Sequence, residues 1–171
     1  MMSPPPDGIS ADALDVQKGF ANPLPLLLLT LLMIAGLMGL MGGNPSPKQG
    51  VENQRLKFSI HSPTIVRSGL AFETQLTVHA KRPIHQLSLS VSDELWRDMT
   101  INTMIPSATE EAYRDGAHHF TFSDLPPGGQ FQFKVDGQIN PPLIGKVRGP
   151  IIVWDGPTKL AEIDFQTMVL P

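Results

Sequence analysis

The sequence predicts a mainly β protein: one N-terminal transmembrane α-helix followed by a seven- or eight-stranded antiparallel β-sandwich. Three observations carry this. No charged side chain occurs between Lys18 and Lys48, and Leu24 to Met41 is an 18-residue run broken in polarity only by Pro25 and Thr30. From Arg55 onward the apolar residues recur every second position, the period of a half-buried strand. The chain holds 17 prolines and 15 glycines in 171 residues, which suits a turn-rich rather than a helical architecture.

Residues 1–22 contain Pro4-Pro5-Pro6 and few large apolar groups. Alone, such a segment buries too little to offset its ordering entropy, so a disordered tail is expected. Residues 23–43 are expected to form the membrane helix. Twenty residues at 1.5 Å each span a hydrocarbon core of about 30 Å. Pro23 and Pro25 stand at its entrance, where a missing N–H costs nothing, and Asn44-Pro45-Ser46-Pro47 stops it. A cleaved signal peptide fits less well. The preceding region is acidic (Asp7, Asp12, Asp15), and no A-x-A site follows.

The helix carries glycine where a plain anchor needs none. Ala35, Gly39 and Gly43 fall four apart on one face, and Gly36 broadens it. In lipid such a small-residue groove lets a second helix approach closely. Met33, Met38 and Met41 supply adaptable side chains around it. Ala35, Gly36, Gly39 and Gly43 are therefore the expected helix-packing residues, toward other transmembrane subunits or a second copy of the chain. The bland alternative is that glycine is simply frequent in membrane helices.

Residues 44–54 read as a polar linker, and 55–171 as the β domain. Its strands are expected around Leu56–Ile60, Phe72–Ala80, Leu87–Val91, Ile101–Ile105, His118–Phe122, Phe131–Val135, Ile151–Val153 and Ala161–Val169. Turn signals separate them, among them Asp115-Gly116 and Pro126-Pro127-Gly128-Gly129. A short helical turn is expected at Asp93–Asp98.

The stretch "SPTIVRSGLAFETQLTVHA" resembles the opening of bacterial immunoglobulin-like or fibronectin-like modules, with Pro63, Gly69, Phe72, Leu76 and Val78 in the matching places. "FSDLPPGGQFQFKVDG" is similar to a later signature of those modules through Leu125, Pro126, Pro127 and Gly128, and "INPPLIGKVRGPIIVWDG" to their closing part. The resemblance covers most of residues 55–170 and implies an Ig-like β-sandwich. The whole layout looks like bacterial single-pass membrane proteins of unassigned role. Their sandwich lies outside the cytoplasm, which implies a periplasmic C-terminal domain on the inner membrane. The positive-inside rule opposes this, because Lys48, Arg55 and Lys57 follow the helix and only Lys18 precedes it. That rule weakens for large domains. The resemblance implies no catalytic residues.

Composition and motifs exclude several chemistries. With no cysteine, disulfides, thiolate zinc sites and thiol nucleophiles are absent. A net charge of −3 does not suit nucleic acid. No phosphate-cradling glycine motif follows a strand and opens a helix. His118 and His119 are adjacent on a strand and so point to opposite faces. His79 and His85 could meet across a hairpin but lack a third ligand. Asp93, Glu94 and Asp98 cluster around Trp96, with Glu110 and Glu111 beyond, and read as a solvated face rather than an acid–base pair. Trp96 and Trp154 are expected as core or rim packing, and as protein contacts wherever exposed.

The expectation is therefore non-enzymatic, with no metal and no cofactor. The chain reads as an accessory or scaffold subunit of a larger bacterial membrane complex, with a respiratory or photosynthetic assembly as a suitable host. The alternative is a membrane-tethered module that binds glycan, peptide or metal.

Overall fold

The computed structural model describes residues 22–41, 48–141 and 143–171. The tail read at 1–22 therefore lies outside the described residues except for Asn22. The chain divides into two compact units at Ile34/Ala35.

The apolar stretch forms α1, Leu24–Leu37, with Pro25 in its first turn. Asn22 Oδ1 accepts the Leu24 N–H at 3.1 Å, and the one hydroxyl, Thr30 Oγ1, donates back to the Leu26 carbonyl at 2.8 Å. The helix expected over 23–43 is thus shorter than the sequence suggests. Its 14 residues reach about 21 Å at 1.5 Å each. No helix among the described residues is long and apolar enough to cross a membrane. The physical reason is Gly39. Its φ is +72°, a backbone conformation outside the helical range. The Leu40 N–H bonds the Ala35 carbonyl at 3.1 Å, and the Gly39 N–H bonds the Gly36 carbonyl at 3.0 Å. This pair of bonds is the Schellman cap that ends helices on glycine.

Eleven strands follow among the described residues. β1 (Gln49–Glu52), β2 (Leu56–His61), β4 (Ala71–Ala80), β9 (Gln130–Ile139) and β6 (Met99–Ile105) make one sheet, in that spatial order. β3 (Ile65–Arg67), β11 (Thr158–Leu170), β10 (Gly145–Asp155), β5 (Leu87–Ser92), β8 (Ala117–Thr121) and β7 (Glu110–Arg114) make the other. Pairing is antiparallel except between β3 and β11. All eight expected strands are present. β1, β3 and β7 are additional, and β1 occupies residues read as linker.

Alternation explains the core. Leu56, Phe58, Ile60, Leu76, Val78, Phe133 and Val135 from the first sheet meet Leu87, Leu89, Val91, Phe120, Val153 and Val169 from the second, all buried. Phe133 sits between Phe120 and Phe122, with ring centroids 5.4 and 5.2 Å away. The Pro126-Pro127-Gly128-Gly129 turn closes onto β4. Gly128 has φ +77°, and its N–H bonds the Ala80 carbonyl at 2.7 Å. Between β5 and β6 lies α2, Asp93–Trp96, the expected helical turn. Ser92 Oγ caps it by accepting the Glu94 N–H at 3.2 Å. Ser92 itself packs where Gly149 has no side chain, since a Cβ there would stand 2.7 Å from Ser92 Cβ.

One phase differs from the sequence reading. The β6–β9 register shifts between Ile101 and Thr103. The extra residue moves Met104 to the core side and leaves Ile105 outward and 56 % exposed.

Candidate interaction surfaces

α1 buries no side chain: its leucines, Met33 and Ile34 are all exposed. A helix that is apolar on every side is stable in lipid or inside a larger protein body, and not in water. Of the four residues expected to form a packing face, Ala35 and Gly36 are helical. Gly39 lies past the last helical residue as the cap, so it shares no helix face with Ala35. Gly43 lies outside the described residues.

The second surface is the open side of the sandwich. β6 ends one sheet and β7 ends the other, so no strand among the described residues closes the gap between them. A groove of about 380 Å³ runs there. Met99, Ile101 and Met104 line it from β6, Glu111, Ala112 and Tyr113 from β7, and Trp96 from α2. Trp96 is half-buried, with ring centroids 5.5 Å from Phe120 and 5.7 Å from His118. It is both rim packing and part of the exposed groove. Tyr113 is 61 % exposed and packs edge-on against His118. His118 Nε2 lies 3.6 Å from Asp93 Oδ1. Sequence reasoning placed Trp96 but missed Tyr113 and the methionines. Tyr113 sits on a strand whose charged neighbours masked it, and the bulge put Met104 out of the expected phase.

The third surface is the outer face of the six-stranded sheet. Ser90, Ser92, Arg114, Asp115, His119, Ile152 and Trp154 line an open concavity of about 550 Å³. Trp154 is half-buried, and its Nε1–H donates to Ser90 Oγ at 2.8 Å. His119 is only 9 % exposed, and its Nδ1 has no hydrogen-bond partner. Burial first, then the positive charge of Arg114, hold its pKa below the ordinary imidazole value, while Asp115 opposes them. His118 and His119 do point apart, toward Trp96 and Trp154 respectively.

His79 and His85 are both exposed. Among the described residues no three His, Asp or Glu side chains are placed to hold a metal ion. Of the carboxylates around Trp96, Asp93 Oδ1 stands beside His118 Nε2 and Asp98 pairs with Arg97.

No protein-family model matches the chain, and no curated protein matches it. Solved structures do. The chain is similar to the CARDB domain of a Pyrococcus furiosus protein in complex with di-metal ions, at 15 % identity and TM-score 0.42, over 70 % of this chain and 97 % of that one. It is also similar to a non-cellulosomal cohesin from Archaeoglobus fulgidus, at 10 % identity and TM-score 0.44, over 64 % and 88 %. A third match is a Pseudomonas fluorescens alkylpurine DNA glycosylase bound to DNA with an abasic-site analogue, at 14 % and 0.33, over 82 % of this chain and 36 % of that one. That the chain is mainly β, with two sheets arranged as a sandwich, follows from the strand pairing itself.

Proposed function

We propose that this protein is a non-catalytic accessory subunit of a larger bacterial membrane assembly. The observation that carries the reading is α1. Its fourteen residues carry no charge and bury no side chain among the described residues, and such a surface is stable only in contact with lipid or other apolar groups. Thr30 returns its hydroxyl to the helix backbone, which removes the one polar side chain that hydrocarbon would penalise. The single-pass anchor on the inner membrane and the periplasmic place of the sandwich belong to this proposal. So does the packing of Ala35 and Gly36 against a neighbouring helix.

The sandwich supplies the second contact. The groove between β6 and β7 presents tryptophan, tyrosine and methionine at an unpaired edge. These are the residue types that anchor protein interfaces. Another subunit of the assembly is the partner that this surface fits. Copurification after mild detergent extraction tests the reading: other polypeptides travel with an accessory subunit, and none with an isolated anchor.

The tethered ligand-binding alternative draws on one observation, the concavity around Trp154 and His119. Titration with glycans or peptides, read by Trp154 fluorescence, tests it. A saturable change supports that reading over a purely structural role.

A further inference from the structure

One end of the sandwich differs from the other in the surface it shows. β1 begins there, Gln49 opposite Ile60, beside the close of β2 at His61. β3 and β11 finish there together, Arg67 beside Leu170, and β4, β6 and β10 all start there. Two loops meet at this end. The Gly69 N–H bonds the Ile139 carbonyl at 2.9 Å, and a Cβ on Gly69 would stand 3.9 Å from the Pro141 ring. Each loop turns one large aliphatic side chain outward: Leu70 is 54 % exposed and Ile144 60 %. Beside Leu70 opens an apolar cleft of about 330 Å³ lined by Ile65, Val66, Ala71 and Phe72.

This end also carries exposed cations. Lys48, Arg67 and Lys146 are exposed, and none forms an ion pair among the described residues. Of the carboxylates at this end, Glu73 pairs with Lys134 and Asp98 with Arg97, while Glu94 and Asp136 form no ion pair among the described residues. At the opposite end, the turns at 53–55, 81–86, 123–129 and 155–158 expose no large aliphatic side chain, and Ile105, where β6 closes, is the large aliphatic exposed there among the described residues.

We propose that the Leu70/Ile144 end docks on the headgroup–acyl boundary of a bilayer. Leu70 and Ile144 enter the boundary, while Lys48, Arg67 and Lys146 lie against anionic headgroups. Exposed aliphatic side chains with cations beside them are what such a boundary binds, and of these cations Arg67 also donates its Nε–H to the Met41 carbonyl at 3.0 Å. Chain length agrees. Gln49 follows Met41 by eight residues, and eight residues extend at most about 28 Å. If α1 is in the membrane, the starting end of β1 cannot leave its surface by more than that. The inference rests on the reading of α1 as an anchor.

The chain has no cysteine, so single-cysteine variants carry one label each. Leu70→Cys, Ile144→Cys and Asp124→Cys, all at exposed positions, are labelled with a nitroxide in the full chain. Each is reconstituted into vesicles of zwitterionic and anionic phospholipid at seven to three. Flotation reports anchoring, and relaxation by oxygen against a water-soluble nickel chelate reports depth. The expected result is flotation, with a several-fold higher oxygen-to-nickel ratio at the first two positions than at 124. Flotation with equal ratios at all three positions overturns the docking and leaves the anchor standing. Failure to float overturns both.

Discussion

Trp154 Nε1–H donates to Ser90 Oγ across the β5–β10 pair at 2.8 Å, and Ser90 beneath it is only 2 % exposed. This contact explains why β5 is buried on both faces. Ser88, Ser90 and Ser92 alternate with Leu87, Leu89 and Val91, a pattern that normally marks a wet face. Here the indole, His119 and the Gly149 gap cover the serines. The bond predicts a coupling. Ser90→Ala and Trp154→Phe should each cost about 1 kcal/mol or more, since each leaves a shielded polar group without its partner. The double variant should cost less than the sum. Urea unfolding of the four proteins measures it, and strict additivity would show that the two residues are not coupled.

Phe133 is fully buried between Phe120 and Phe122. Phe133→Ala should destabilise the sandwich by about 3–5 kcal/mol through lost transfer energy and a residual cavity. Phe72→Ala, on a half-buried ring, should cost visibly less. Chemical denaturation followed by near-ultraviolet circular dichroism compares them.

His119 should make stability depend on pH. Its folded pKa lies below the unfolded value of about 6.5. Between those two values the unfolded chain binds the extra proton, so acid favours unfolding. Stability is intact above about pH 6.5, falls as pH drops through that interval, and stops falling below the folded pKa. The charged groups that act on the ring are Arg114 and Asp115, with a smaller effect from His118 on the opposite face of the strand. Denaturation midpoints at pH 7.5 and 5.0, for wild type and His119→Phe, separate its share. Wild type should lose more on acidification. An equal loss in both proteins would mean that the buried imidazole does not titrate abnormally.

Two glycines three residues apart should respond with opposite signs. Gly36 lies inside α1, where an added Cβ meets nothing within 4 Å, so Gly36→Ala should raise helicity. The expected gain is up to about 1 kcal/mol. Gly39 holds the cap at φ +72°, so Gly39→Ala should fray the helix end by a similar amount. Far-ultraviolet circular dichroism of the full chain in detergent reads both.

The sequence made the sandwich legible because its core faces are unbroken: Leu56, Phe58 and Ile60, or Leu87, Leu89 and Val91, announce both strand and face. Edges were harder. β7 reads Glu-Glu-Ala-Tyr-Arg, and its charges, which protect an edge from mispairing, also hide it from a search for alternation. β1 is polar for the same reason, and β3 has three residues only. The bulge after Ile101 shifts phase without any local signal. For the candidate surfaces, Trp96 stood out by its size, whereas Tyr113, Met99 and Met104 join it only through the way two sheet edges face each other. Gly39 was visible as a glycine, but an uninterrupted apolar run gives no sign that it ends the helix.

The account turns on the proposal that the chain works inside a larger assembly, and native-size analysis after mild detergent extraction tests it most directly. Wild type should run well above its 18.6 kDa chain mass plus detergent, with distinct polypeptides identified by mass spectrometry. Tyr113→Glu, which changes an exposed side chain lining the groove, should lose partners held by the sandwich and keep its fold. A wild-type protein that runs as a lone chain with no companion would contradict the account.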